Sequence, residues 1–162
     1  MSKFRIYFKE QTAEEEAYCW EVDDSFFAQM GGELQRGRLS VDMKSRKLTA
    51  SDFELKFRLR GDVEVECDRC LEPMRQPVDG ESELLVRIGE RDGDDGETVT
   101  TADGEVDLAW NVYEMIALSL PMRHVHPEGE CKGAVAEALS RYEGQQETDH
   151  RWDTLREIID NN

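Results

Sequence analysis

The stretch Phe53-Glu-Leu-Lys-Phe-Arg-Leu-Arg60 alternates strictly between apolar and charged residues. This period of two is that of a β-strand with one buried face and one solvated face. Residues 38–44 repeat the pattern, and the polar segment 45–52 between the two stretches predicts a β-hairpin. The alternation continues in phase through Val63, so the apolar face of the second strand arrives at Cys67.

Shorter runs of alternation predict further strands at residues 4–8, 15–22 and 84–88. We expect the first two of these strands to pair with each other across an acidic turn. Pro73 and Pro77 interrupt the alternation, so we expect no strand between the second hairpin strand and residue 84.

Two segments have the pattern of helices. Residues 26–30 predict a short helical turn, and Asp107 can cap a longer helix from Leu108 to about Leu120. The longer helix is apolar around most of its circumference, which predicts that it is largely buried. Glu114 is its interior charge, and it either faces solvent or is paired for a function. Residues 135–142 predict a weaker helix.

The predicted fold is α+β, with a mostly antiparallel β-sheet or meander, one buried helix at about 108–120 and a short C-terminal helix. Residues 1–143 are expected to form one β-rich domain. Residues 144–162 are expected to be a polar linker followed by an amphipathic helix, because the apolar residues there recur at helical spacing.

The cysteines offer a site for chemistry. Cys67 and Cys70 form a CxxC pair, which can place two thiolates on one metal ion or act as a redox pair. His126 and Cys131 can complete a closed Cys₃His set of the kind that holds structural Zn²⁺, with His124 as the alternative histidine ligand. A CxxC pair that has only a structural or vestigial role remains open as well. Cys19, beside an apolar residue in a predicted strand, is expected to be a buried thiol.

The net charge of −17 disfavours general coating of nucleic acid and favours basic partners. Solubility alone is the alternative explanation. The first ten residues lack the apolar core of a secretory signal, and no apolar run reaches the length of a membrane span. We therefore expect a cytoplasmic protein with reduced cysteines and no membrane partner.

A basic segment stands out against this acidic background. Residues 36–60 contain eight basic and three acidic residues, a local net charge of +5. Five of the basic residues share strand parity with the solvated face and are the predicted RNA-binding residues: Arg38, Lys44, Lys56, Arg58 and Arg60. An ordinary solvated face is the alternative interpretation.

Four segments of the chain together resemble the YceD family of large ribosomal RNA subunit accumulation proteins. They are Val65-Glu-Cys-Asp-Arg-Cys-Leu-Glu-Pro73, Val106-Asp-Leu-Ala-Trp-Asn-Val-Tyr-Glu-Met-Ile-Ala-Leu-Ser-Leu-Pro121, Val125-His-Pro-Glu-Gly-Glu-Cys-Lys-Gly133 and Asp149-His-Arg-Trp-Asp-Thr-Leu155. The resemblance covers roughly residue 61 to the C-terminus. Family members often carry further cysteines after the third segment, where this chain has none. A metal site made of cysteines alone is therefore less expected, and His126 becomes a more important candidate ligand.

The resemblance implies a bacterial or plastid role in the accumulation or processing of large-subunit ribosomal RNA, and it implies no catalytic activity. The expected partner is that RNA or a pre-ribosomal particle. Two alternatives stay open: an acidic holder for a basic ribosomal protein, and a CxxC thiol oxidoreductase. The sequence contains no nucleophile elbow, phosphate-binding glycine loop or HExxH motif, which disfavours an enzyme.

Overall fold

The computed structural model describes residues 3–89 and 98–143. Its main feature is a five-stranded sheet in the order β2-β3-β4-β5-β6. The strands are β2 (Glu15–Val22), β3 (Gly37–Lys47), β4 (Asp52–Glu66), β5 (Pro73–Ile88) and β6 (Thr98–Thr101). A second sheet pairs β1 (Arg5–Tyr7) with β7 (Glu105–Asp107).

The described residues also form three α-helices, α1 (Asp24–Met30), α2 (Ala109–Leu118) and α3 (Gly133–Glu143), and a 3₁₀ turn at Phe8–Glu10. Strands dominate the described residues: β1 with β7, β2 with β3 and β3 with β4 pair in antiparallel fashion, and β5 pairs with β6 in parallel. The predicted α+β class is therefore confirmed. The predicted C-terminal helix lies outside the described residues.

The hairpin predicted from the alternation in residues 38–44 and 53–60 is present as β3 and β4. Met43 lies opposite Phe57 and Val41 opposite Leu59, and all four side chains are buried. Apolar burial of this kind stabilises the sheet by roughly 1.5–3 kcal/mol for each large side chain. The alternation in sequence therefore fixes both the strand and the face that it buries.

Gly61 lies within β4 opposite Leu39, where the two backbones approach closely. Its φ angle is +152°, and a Cβ atom built there would lie 2.1 Å from the carbonyl oxygen of Arg38. Only glycine fits this position without a shift of β3.

Two strand predictions were wrong. The N-terminal strand β1 pairs with β7, and β2 pairs with β3. Local alternation identifies a strand but does not specify its distant partner.

The second error concerns the extent of β5, which runs through Pro73 and Pro77. Within the described residues, β6 pairs only with residues 85–88 of β5, so one side of β5 has no partner strand at Pro77, and proline is tolerated at such an edge.

Helix α2 packs against the core with one of its sides. Val112, Tyr113 and Ile116 are buried, and the Tyr113 hydroxyl accepts a hydrogen bond from the Leu34 N–H at 3.1 Å. The opposite side of α2 is exposed, so the expectation that the helix is largely buried holds for one side of it. Glu114 lies on the exposed side.

The chain divides into two compact units. The first contains Met1–Val65 and Met74–His124, and the second contains Glu66–Pro73 and Val125–Asn162. The described part of the second unit is the CxxC segment, an irregular segment and α3. The predicted boundary after residue 143 falls where the described residues end, so it stays a prediction.

Candidate metal centre

Four potential metal ligands converge in the second unit. One ligand atom from each of Cys67, Cys70, His126 and Cys131 lies within 4.8 Å of the other three. The residues come from two segments more than fifty residues apart in sequence, and they are the four residues that the sequence predicted as ligands. Their association in one cluster is therefore a feature of the fold.

A tight turn positions the first two ligands. The Cys67 carbonyl accepts from the Leu71 N–H at 2.8 Å, and the Cys67 N–H donates to the Glu72 carbonyl at 3.0 Å. The turn thereby places both thiols on its inner side, where Cys67 and Cys70 are buried. Leu71 takes the left-handed conformation with φ +61°, at a cost of roughly 1–2 kcal/mol for a non-glycine residue. Strain of this kind is typical of ligand-holding segments.

The other two ligands come from an irregular segment before α3. The Glu130 N–H donates to the Pro127 carbonyl at 3.0 Å, which bends the chain between the histidine and the cysteine. Gly129, with φ +81°, lies within this bend. At the start of α3, a Cβ atom on Gly133 would lie 2.7 Å from Glu72 Oε1, so glycine permits a close approach of this segment to the CxxC turn.

Two distances within the cluster are close to those of a tetrahedral zinc site. Zn–S bonds of about 2.3 Å and Zn–N bonds of about 2.0 Å place neighbouring ligand atoms roughly 3.5–3.8 Å apart. The Cys67 and Cys131 sulfurs are 3.9 Å apart, and the Cys70 sulfur lies 3.4 Å from Nδ1 of His126. Three sulfurs and one imidazole nitrogen form a donor set that favours Zn²⁺ over Mg²⁺ or Ca²⁺.

The thiols of this cluster differ in acidity. Burial raises the pKa of Cys67, but backbone N–H groups that donate to its sulfur outweigh burial and lower the pKa to about 5. The donors are the N–H groups of Cys70, His126 and Arg69. At Cys131, burial raises the pKa to about 11, and the neighbouring thiols of Cys70 and Cys67 add to the rise. A bound cation would favour the thiolate at every position.

The structure also distinguishes the alternatives for this site. His126 belongs to the cluster, whereas the alternative ligand His124 is not among its members.

Cys19 is exposed on β2, so the expectation of a buried thiol was wrong. Its position in β2 alternates with buried Trp20, which places the thiol on the solvated face of the strand.

The predicted RNA-binding residues lie on the exposed face of β3 and β4, in two different environments. Arg58 is held by Asp79 at 2.5 Å and Glu81 at 2.7 Å, and Lys56 contacts Glu83 at 3.0 Å. Within residues 3–89 and 98–143, no ion pair joins the three others, which are Arg38, Lys44 and Arg60.

Sequence reasoning missed the acidic residues that pair with Lys56 and Arg58 on this face. Asp79, Glu81 and Glu83 alternate along β5 and place their carboxylates beside the basic residues of β4. Their period of two was visible in the sequence, but the predicted strand began only at residue 84, after all three of them, because Pro73 and Pro77 interrupt the alternation. The donors to the Cys67 sulfur were also missed, since backbone N–H groups leave no signal in sequence.

A family model described as "Large ribosomal RNA subunit accumulation protein YceD" matches residues 55–158. The chain belongs to the YceD family. The match includes the CxxC turn, α2 and the segment with His126 and Cys131, so the resemblance noted in the sequence is confirmed. No curated protein and no solved structure matches the chain.

Membership of the YceD family supports a role in ribosome biogenesis, and the family description names no enzymatic activity. Among the helices that the structure describes, none is long and apolar enough to cross a membrane.

Proposed function

We propose that this YceD-family protein is a non-enzymatic ribosome-biogenesis factor that supports accumulation or processing of large-subunit ribosomal RNA, and that it carries one structural Zn²⁺ ion. The family match over residues 55–158 carries the first part of this proposal. The cluster of Cys67, Cys70, His126 and Cys131 supports the second part.

A structural role for the metal follows from the composition of the second unit. Among its described residues, Cys67 and Cys70 alone are buried, so this part of the chain has almost no apolar core. A unit without a core needs another source of stability, and structural zinc supplies apparent binding energies of about 10–16 kcal/mol in small zinc-finger peptides. Four protein ligands leave no open position for substrate, which is typical of structural rather than catalytic zinc.

The thiol oxidoreductase alternative is less well supported. The low pKa of Cys67 suits a reactive thiolate as well as a zinc ligand. However, a redox CxxC pair generally lies at a helix N-terminus within a βαβ unit, whereas Cys67 and Cys70 here lie between strands β4 and β5. Two further ligands within reach of both thiols favour the metal.

Metal content tests the zinc proposal. Protein purified with reduced thiols is expected to contain about one zinc per chain, measured by native mass spectrometry. The Cys19→Ser variant is a matched control, because it removes an exposed cysteine outside the cluster and should keep the same zinc content. Wild-type protein that contains little zinc and takes up none when zinc is added contradicts the proposal.

We propose large-subunit ribosomal RNA or a pre-ribosomal particle as the partner, with contact through Arg38, Lys44 and Arg60, which form no ion pair with any described residue. A basic ribosomal protein is the alternative partner, and the net charge of −17 supports it. All four cysteines are free thiols, as is usual for proteins of a reducing compartment, which supports a cytoplasmic location.

Complementation in a strain that lacks the gene tests the proposed role. Wild-type protein is expected to restore the ratio of large-subunit to small-subunit ribosomal RNA. A strain whose ratio is unchanged by loss of the protein contradicts the proposed role and leaves the zinc proposal intact, since metal content is measured independently.

A further inference from the structure

Strand β2 forms a long open edge of the main sheet. Within the described residues it pairs with β3 alone, over eight residues from Glu15 to Val22. The opposite edge strand, β6, has four residues. An open edge displays unpaired backbone N–H and C=O groups, which can accept another strand.

The hydrogen-bond pattern identifies which backbone groups of β2 are free. The Lys47 N–H donates to the Glu14 carbonyl at 2.9 Å, at a position that continues the register of β2 and β3. In an antiparallel pair, alternate residues bond to the partner strand, so the even-numbered residues of β2 bond to β3. The backbone groups of Glu15, Ala17 and Cys19 therefore point outward, and all three residues are exposed.

The far end of this edge is already closed. The Lys3 ammonium group donates to the Glu21 carbonyl, which also shows that odd-numbered residues of β2 direct their backbone outward. The open part of the edge consequently runs from Glu15 to Cys19, a length that matches about five residues of an added strand.

The edge is also strongly acidic. Residues 14–24 contain six acidic residues and no lysine or arginine. The side chains of Glu15 and Glu21 lie on the same face as that of Ala17, because all three positions share strand parity. Within the described residues neither of these glutamates takes part in an ion pair, so both are available to a positively charged ligand.

We propose that the β2 edge binds an extended, lysine- or arginine-rich polypeptide segment of a partner protein, which adds to the sheet as an antiparallel strand. The outward-pointing backbone groups of Glu15, Ala17 and Cys19 supply the backbone hydrogen bonds, and the acidic side chains select a basic strand. This proposal specifies how a basic protein partner is recognised. It rests on that part of the proposed function and is independent of the zinc ion and of direct RNA contact.

A synthetic peptide tests the proposal directly. The probe is a fluorescein-labelled nine-residue peptide of alternating lysine and threonine, titrated with full-length protein at low salt and followed by fluorescence anisotropy. The control peptide is N-methylated at its lysine amides, which keeps every charge and removes the backbone donors that would face β2. We expect the control peptide to bind at least about 10-fold more weakly. Equal binding of the two peptides, or no binding of either, overturns the proposal.

Substitution of Ala17 provides the matched protein variants. Ala17→Pro removes an outward N–H that the fold does not use, and proline is tolerated on sheet edges. Ala17→Thr keeps that N–H and suits a strand. The peptide is expected to bind Ala17→Pro at least about 10-fold more weakly than Ala17→Thr. Equal affinities overturn the proposal, provided that circular dichroism shows both variants folded.

Two further measurements separate backbone pairing from charge. Hydrogen exchange of the Ala17 and Cys19 amides is expected to slow when the peptide binds, and unchanged exchange overturns strand addition. Glu15→Lys is expected to weaken binding more than Glu33→Lys, which makes the same change of charge in the loop before β3. Equal weakening by these two variants overturns the role of the edge glutamates.

Discussion

The two units of this YceD-family protein differ in how much apolar surface they bury. The first unit buries aromatic and aliphatic side chains from its strands and from α1 and α2. The second unit buries, among its described residues, only the two cysteines of the CxxC turn. Apolar burial is sufficient to define the first unit, whereas the proposed zinc ion would stabilise the second by holding its four ligands together.

Loss of a metal ligand is the change with the largest expected effect, and it should act on the second unit. Cys70→Ser should lower zinc affinity by more than the roughly 10–100-fold typical of outer-shell substitutions, because it removes a ligand itself. His126→Cys should retain zinc, since it produces a four-thiolate set. Competition with a chromophoric chelator measures both affinities. Zinc bound equally well by Cys70→Ser and wild type contradicts the assignment of this ligand.

A substitution that creates a cavity in the core of the main sheet is expected to destabilise the first unit alone. Phe57 is almost fully buried in the core, and Phe57→Ala should lower the free energy of unfolding by about 3–5 kcal/mol. Urea denaturation followed by tryptophan fluorescence measures the change. Zinc content at low temperature should remain at the wild-type value. A folded Phe57→Ala variant that has lost its zinc contradicts the separation of the two units.

The close approach of β3 and β4 at Gly61 predicts a smaller effect. Gly61→Ala should lower the free energy of unfolding by roughly 1–3 kcal/mol, because the new methyl group meets the Arg38 carbonyl. Gly89→Ala is the matched control: its φ of +156° is nearly that of Gly61, but a Cβ atom there has no neighbour within 4 Å. Equal losses from both substitutions, measured by urea denaturation, show that φ rather than contact is responsible.

The smallest expected effect concerns the exposed face of β3 and β4. If RNA binds there, each phosphate contact adds about 0.9 to the slope of log affinity against log salt on a duplex, and about 0.7 on a single strand. Arg60→Ala should reduce the slope by about that amount. Arg58→Ala should reduce it less, because Asp79 and Glu81 already hold the Arg58 guanidinium. The same slope in Arg60→Ala and wild type contradicts RNA contact at this residue.

Sequence reasoning was most successful where the physical signal is local. The alternation of β3 and β4 predicted their strands, their hairpin and their buried face, because side-chain parity is decided residue by residue. It also nominated the four residues that the fold brings together as candidate ligands, since a CxxC pair with a further histidine and cysteine matches the ligand set of structural zinc.

Features that depend on distant parts of the chain were not predicted. The pairing of β1 with β7 joins segments about a hundred residues apart, and three-residue strands carry too little pattern to specify a partner. The neutralisation of Arg58 depends on the neighbouring strand β5, whose extent was underestimated because of Pro77. Local composition therefore overstated the positive charge of the exposed face.

Hydrogen exchange of zinc-loaded and zinc-stripped protein, both with reduced thiols, tests most directly whether the metal organises the second unit. Removal of zinc is expected to abolish protection of amides in residues 66–73 and 125–143, while the amides of β3 (Gly37–Lys47) remain protected as before. Protection in residues 66–73 and 125–143 that survives removal of zinc would contradict the account, because the second unit would then be stable without its metal.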